Sequence, residues 1–174
     1  METKSEMMKN SLLHQFLIAG LKDIYWAENK IIEAIPKMQK ESTTVQLEKT
    51  LGEHLEVTKG QVERLNQIFE KLGEKASGKK CDGIAGIIEE GKEVIDETED
   101  GSVTRDVGII VSAQKIEHYE IAAYGGLAQL ARTMGHDDIA ELLHETLEEE
   151  KEADRLLTQI AESDINYEAS TETE

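Results

Sequence analysis

The sequence predicts an all-helical protein: a four-helix bundle of two antiparallel hairpins joined by a long crossover that contains a short fifth helix. Three observations lead there. The 174 residues include one proline and few aromatics, while Glu, Lys, Leu, Ile and Ala abound, a composition that favours helix. Apolar residues recur at helical spacing in four long runs and a short one, each marking a single stripe to be buried. Between the second and third long runs lie about 30 positions, enough to cross the length of a bundle, whereas the other two connections allow only an antiparallel neighbour. One domain accounts for the length. Residues 10–162 form the bundle, residues 1–9 a polar, frayed N-terminus, and residues 163–174 an acidic, Thr-rich tail read as disordered because it has nothing to bury.

The first run, from Asn10 to about Lys40, puts Leu13, Leu17, Leu21, Ile24, Ile31, Ile32 and Ile35 on one face, together with Glu28. Pro36 predicts a kink or a local end, since it lacks an amide donor and its ring clashes one turn back. Ser42, Thr43 and Thr44 then offer a turn and an N-cap. The second run reaches from about Thr44 to Leu72 on Leu51, Leu55, Val62, Leu65 and Phe69, and its stripe also carries His54, Thr58 and Gln61. Gly73 to Lys80 is a loop rich in glycine and lysine. Ile84, Ile87, Ile88, Val94 and Ile95 mark the short helix, which ends in a turn from Glu97 to Ser102. The third long run, centred on Asp106 to Ala131, carries Ile110, Ala113, Ile121, Ala128 and Ala131 and ends near Thr133, with Gly135 as its stop. Asp137 or Asp138 caps the last helix, which continues to about Glu162 on Ile139, Leu143, Leu147, Leu157 and Ala161.

Acids lie within these stripes. At about 100° per residue, Glu117 projects roughly 20° from Ile110, with Glu120 and Tyr124 roughly 80° and 40° away on the same side. Glu150 and Asp154 stand in the stripe of the last helix. Ionised carboxylates in an apolar interior demand a partner. In an antiparallel hairpin, residues share a height when their positions average to the turn. Glu28 with His54 averages to about 41, and Glu117 with Asp154 and Glu120 with Glu150 to about 135, each inside a turn. Stacking the two hairpins can therefore bring all six groups together. Five carboxylates and an imidazole are a hard, oxygen-rich ligand set, suited to iron, manganese or zinc more than to copper or a sulfur cluster. Two divalent cations would nearly neutralise it; without metal the cluster must share protons or take in water.

The stretches Asp23-Ile-Tyr-Trp-Ala-Glu28, His54-Leu-Glu-Val-Thr-Lys-Gly-Gln61, Ala113-Gln-Lys-Ile-Glu-His-Tyr-Glu-Ile-Ala122 and Thr146-Leu-Glu-Glu-Glu-Lys151, with Lys80-Cys81 ahead of the crossover helix, resemble the YciE/YciF bacterial stress-response family over about residues 11–162. The resemblance implies a ferritin-like fold, similarity to rubrerythrin-type dinuclear metal proteins, and a homodimer. There is a departure. Ferritin-like dinuclear sites draw Glu-x-x-His from the second and fourth helices, but Val57 follows His54 by three and Ala153 follows Glu150 by three. One or two ions per chain are therefore both compatible with the ligands Glu28, His54, Glu117, Glu120, Glu150 and Asp154. The Glu117-x-x-Glu120 pair is similar to the rubrerythrin arrangement.

Other polar residues are given lesser parts. Tyr25 and Tyr124, and at lower rank Thr58, Gln61, Gln114 and Thr146, are placed to bond the ligands. His14 is structural, while His118, His136 and His144 belong to the surface. Cys81 packs under the crossover, and Trp26 serves an interface or the crossover.

The net charge of −18 excludes nucleic acid and anionic membrane as partners held by bulk attraction. A single cysteine makes no internal disulfide, and without a cleavable signal or an apolar span of about 20 residues a cytoplasmic location is expected. Two functions fit: a dinuclear iron or manganese protein that reacts with oxygen or peroxide, or a non-enzymatic stress protein whose acid cluster is a structural metal or proton-sharing core. Iron storage in a shell is a weaker third. Hydrolase and nucleotide-binding classes lack their motifs.

Overall fold

The computed structural model describes residues 11–173, so the frayed segment expected at residues 1–9 lies outside the described residues. The chain forms α1 (Leu12–Glu41), α2 (Val45–Leu72), α3 (Asp82–Glu97), α4 (Val103–Thr133) and α5 (Asp137–Ile160), followed by a π-helical turn (Ala161–Ile165) and a short α6 (Asn166–Thr171). No strand occurs among the described residues. The four long helices pack in a square, α1 against α2 and α4, α5 against α4 and α2, and α3 lies across the outside of α1 and α4.

Each boundary has a local cause. The hydroxyls of Ser11, Thr44 and Ser102 accept the amides of His14, Leu47 and Arg105 and so start α1, α2 and α4. α2 ends at Gly73 and α4 just before Gly135, whose φ values of 70° and 75° are the left-handed conformation that glycine adopts without steric cost. Pro36 does not end α1; the helix runs through it to Glu41, held by the burial of Ile35 and Met38 on either side. Asp137 and Asp138 fall inside the first turn of α5, and His136 occupies the cap position without a side-chain bond. There the two acids still favour the helix N-terminus through its dipole.

The crossover is fastened at both ends. After α2 the chain passes over Trp26, where Gly78 comes so close that an added Cβ would lie 2.9 Å from the tryptophan Cβ, and the Lys79 amide donates to the Lys22 carbonyl at 3.0 Å. Trp26 is thus half-buried beneath the connection. At the far end the fully buried carboxylate of Asp106 accepts the amides of Thr43 (2.7 Å) and Thr44 (2.8 Å), which closes the α1–α2 turn onto the start of α4. Arg105 beside it donates to Asp100, Glu41 and the Thr98 carbonyl.

The tail departs from expectation. Residues 163–171 continue the helix, Ile165 is buried, and Glu172 accepts the amides of Val103 and Thr104, each at 2.9 Å. A buried apolar side chain and a carboxylate on the N-terminus of α4 fasten a segment whose composition reads as unstructured.

Aliphatic side chains, among them Leu21, Ile31, Leu65, Ile110 and Leu143, fill the bundle, each worth roughly 1.5–3 kcal/mol on burial. Midway along, this apolar interior is interrupted by Glu28, Gln61, Glu117, Glu120 and Glu150, all at most 2% exposed.

Candidate metal centre

α2 contributes His54, α4 contributes Glu117 and Glu120 one turn apart, and α5 contributes Glu150. One ligand atom from each lies within 4.8 Å of the others. His54 Nε2 is 3.3 Å from Glu117 Oε1 and 4.0 Å from Glu150 Oε2. Glu28 of α1 adjoins this group, and its carboxyl and those of Glu120 and Glu150 act on one another electrostatically. Its Oε1 accepts the hydroxyl of Tyr124, while Glu150 Oε1 accepts the side-chain amide of Gln61. Five of the six expected ligands therefore meet at one depth.

Asp154 does not join them. Its Oδ1 accepts Gln114 Nε2 at 3.1 Å and stands 3.3 Å from His118 Nε2. One turn beyond Glu150 on α5, it reaches the flank of α4 instead of the space between the helices. His118, expected to lack an acidic neighbour, has this one. The other polar residues sort themselves by contact. Gln61 touches Glu150 directly, the Thr58 hydroxyl bonds the His54 carbonyl, and Thr146 accepts from Arg64. Tyr25 packs edge-on against Phe69 with centroids 5.6 Å apart. Arg64 was not singled out by sequence reasoning. It donates to Glu145, Glu149 and Thr146 and ties α2 to α5; its position one turn after Gln61 was the available signal.

Electrostatics make the cluster a site in need of positive charge. Burial, with the repulsion of Glu150 added, pushes Glu28 up to about 8. Burial also lifts Glu117 and Glu120 well above the usual carboxylate range, and neighbouring carboxylates add to the effect. His54 is held below its usual value by burial, against the opposing pull of Glu150 and Glu149, so its ring is neutral and has a lone pair to offer. Glu28 Oε2, Glu117 Oε2, Glu120 Oε1, Glu150 Oε2 and His54 Nε2 have no hydrogen-bond partner. Such unmatched lone pairs are costly in an interior, and their convergence fits a cation or the protons that replace it. The residues present therefore fit a metal ion.

A four-helix bundle whose two hairpins are joined by one long crossover has the architecture of the ferritin-like class of helical proteins. The chain belongs within it to the family described as a domain of unknown function (DUF892), which matches residues 12–170. It is 42% identical to the protein YciF of Escherichia coli K12 over 163 residues, covering 93% of this chain and 98% of that one. Among solved structures, the E. coli stress protein YciF aligns with a TM-score of 0.85 at 41% identity, covering 90% of this chain and 98% of YciF. YcfI of Rhodopseudomonas palustris, for which a structural role has been suggested, aligns at 0.82 and 44% over 85% of this chain and 94% of its own. A Xanthomonas campestris protein at 20% identity, TM-score 0.67, covering 87% of this chain and 92% of that one, shares the fold. Among the described residues no helix is long and apolar enough to cross a membrane.

Proposed function

We propose that this chain is a cytoplasmic, ferritin-like stress-response protein that holds iron or manganese at the cluster, one or two ions per chain with zinc as a further candidate, and that the loaded protein reacts with oxygen or peroxide. One observation carries the reading: ligand atoms of His54, Glu117, Glu120 and Glu150 converge within 4.8 Å in a buried space where lone pairs lack donors. Hard oxygen donors with one imidazole suit iron or manganese, and four carboxylates, counting Glu28, match the charge of two divalent cations. His54, Glu117, Glu120 and Glu150 would hold the first ion, and Glu28 with Glu120 a second. When bound, the ion supplies redox or Lewis-acid chemistry. The chain's own part is to orient Glu28 through Tyr124 and Glu150 through Gln61, to keep His54 neutral, and to exclude bulk water with the aliphatic residues above and below. The kinship with a stress protein supports the physiological setting.

The test is elemental analysis of protein purified without chelator and after anaerobic loading. About one to two ions of iron or manganese per chain are expected, with loss in Glu117→Ala. Protein that takes up neither metal ends the reading. A structural use of the same ion is favoured by the hydrogen bonds that immobilise Glu28 and Glu150 and by the role suggested for YcfI. Oxygen consumption on adding Fe(II) separates the two: uptake above buffer supports reactivity, and uptake equal to buffer with a metal-raised melting temperature supports the structural use. A homodimer, the assembly the family resemblance implies, is expected by light scattering; a cage-sized mass would return iron storage to consideration.

A further inference from the structure

The cluster is not shut equally on all sides. Glu28, Glu120 and Glu150 are at most 1% exposed, but the His54 side chain keeps 12% of its surface. It does so in a groove of about 650 Å³ between α2 and α5, walled by Leu51, Val57, Ala153 and Leu156. Glu53, Glu145, Glu148, Glu149 and Glu152 border the mouth, and the buried Glu117 lies at the inner end. His54 Nε2 and Glu117 Oε2, both without a partner, belong to residues that line it. The polar bridges between α2 and α5 start at Gln61 and Arg64. Apart from the approach of His54 to Glu150, among the described residues no hydrogen bond or ion pair joins the two helices from Thr50 to Val57.

We propose that this groove is the route by which a divalent cation passes from solvent to the cluster, an inference that rests on the metal-centre reading above. The rim carboxylates concentrate cations at the mouth. Glu148 and Glu152 each meet a basic side chain in a surface pair, but exposed ion pairs are weak and an incoming dication competes with them, whereas Glu145 and Glu149 are paired with the half-buried Arg64. Glu149, held on both oxygens by Arg64, stands between the rim and the inner ligands. It accepts Gln61 Nε2 at 3.1 Å, and the same amide nitrogen donates to Glu150, so the outer carboxylate is one shared donor away from an inner ligand. The apolar walls offer no competing ligand, and His54 is the first of the cluster's ligands to be met.

The experiment is stopped-flow loading of the metal-free full chain with Co(II), followed by its visible absorption, with the final stoichiometry measured alongside. The double variant Glu148→Gln, Glu152→Gln is expected to load about three- to ten-fold more slowly at low ionic strength, with the difference fading as salt rises and the stoichiometry unchanged. Val57→Phe and Ala153→Phe, which fill the groove, are expected to slow loading at every salt concentration, while the filler Ile88→Phe on the α1–α3 side leaves the rate at its parent value. Parent-like rates in the charge and groove variants at full stoichiometry overturn the route alone. A parent that binds no Co(II) at equilibrium overturns the metal centre and the route with it.

Discussion

At Glu120 the needs of stability and of ligand binding oppose each other. The side chain is 1% exposed, faces Glu28 and Glu117, and has an oxygen with no donor. Glu120→Gln removes a buried acid and adds an amide donor for the carboxyls around it. The metal-free variant is therefore expected to be about 1–3 kcal/mol more stable than its parent in denaturant titrations, and to lack the stabilisation that added metal is expected to give the parent on the proposed reading. Tyr124 acts in the other direction. Its hydroxyl donates to Glu28, and Tyr124→Phe leaves that oxygen without its donor, at a cost of about 1–3 kcal/mol. Metal titration should show affinity reduced about 10–100-fold, the usual effect of losing a residue that orients a ligand.

Two predictions concern how elements are joined. Asp106 is fully buried and bonds the backbone amides of Thr43 and Thr44. Asp106→Ala would leave both donors without a partner inside the protein, so a loss of about 2–4 kcal/mol is expected from thermal or denaturant unfolding. Glu117 lies about three turns further along α4, so the metal stoichiometry expected of the parent should survive. The tail supplies the second case. Removing residues 163–174 takes away buried Ile165 and the Glu172 carboxylate that accepts the Val103 and Thr104 amides. A loss of about 1–3 kcal/mol is expected; an unchanged melting temperature would mean that the segment contributes nothing.

For the molecule as a whole, the acid cluster sets how stability depends on pH. Glu28 has a folded value of about 8 against an ordinary 4.5, and Glu117 and Glu120 are shifted the same way. Between those limits the folded, metal-free protein binds more protons than the unfolded chain, so its stability falls as pH rises. The contribution is complete below about 4.5 and is lost as pH climbs through about 8. His54 is shifted downward, and its share is lost as pH falls below the ordinary histidine range. A metal at the proposed centre would require the deprotonated carboxylates, so it is expected to bind more tightly with rising pH and to release protons on binding. Denaturant midpoints from pH 5 to 9 should decline for metal-free protein and stay flatter for loaded protein; a metal-free curve that rises across this window would contradict the cluster's electrostatics.

The helices, the hairpin turns and the depth of Glu28, His54, Glu117, Glu120 and Glu150 were legible in the sequence, because a helix fixes direction and height through the constant rotation and rise of each residue. Asp154 shows the limit of that reading. Its height was right, but a side chain near the edge of a stripe reaches either the interior or the neighbouring flank, and only the packed α4 surface with Gln114 and His118 decided which. Arg105, Asp106, Arg64 and the ordered tail were missed for a related reason. Their partners lie on helices remote in sequence, and composition alone makes such residues look solvated. The sequence by itself determined which faces had to be buried and which acids went with them. Tertiary structure alone decided which lone pairs found donors, which were left to face one another, and on which side the cluster opens, because hydrogen bonds and gaps between helices depend on distances that no single helix sets.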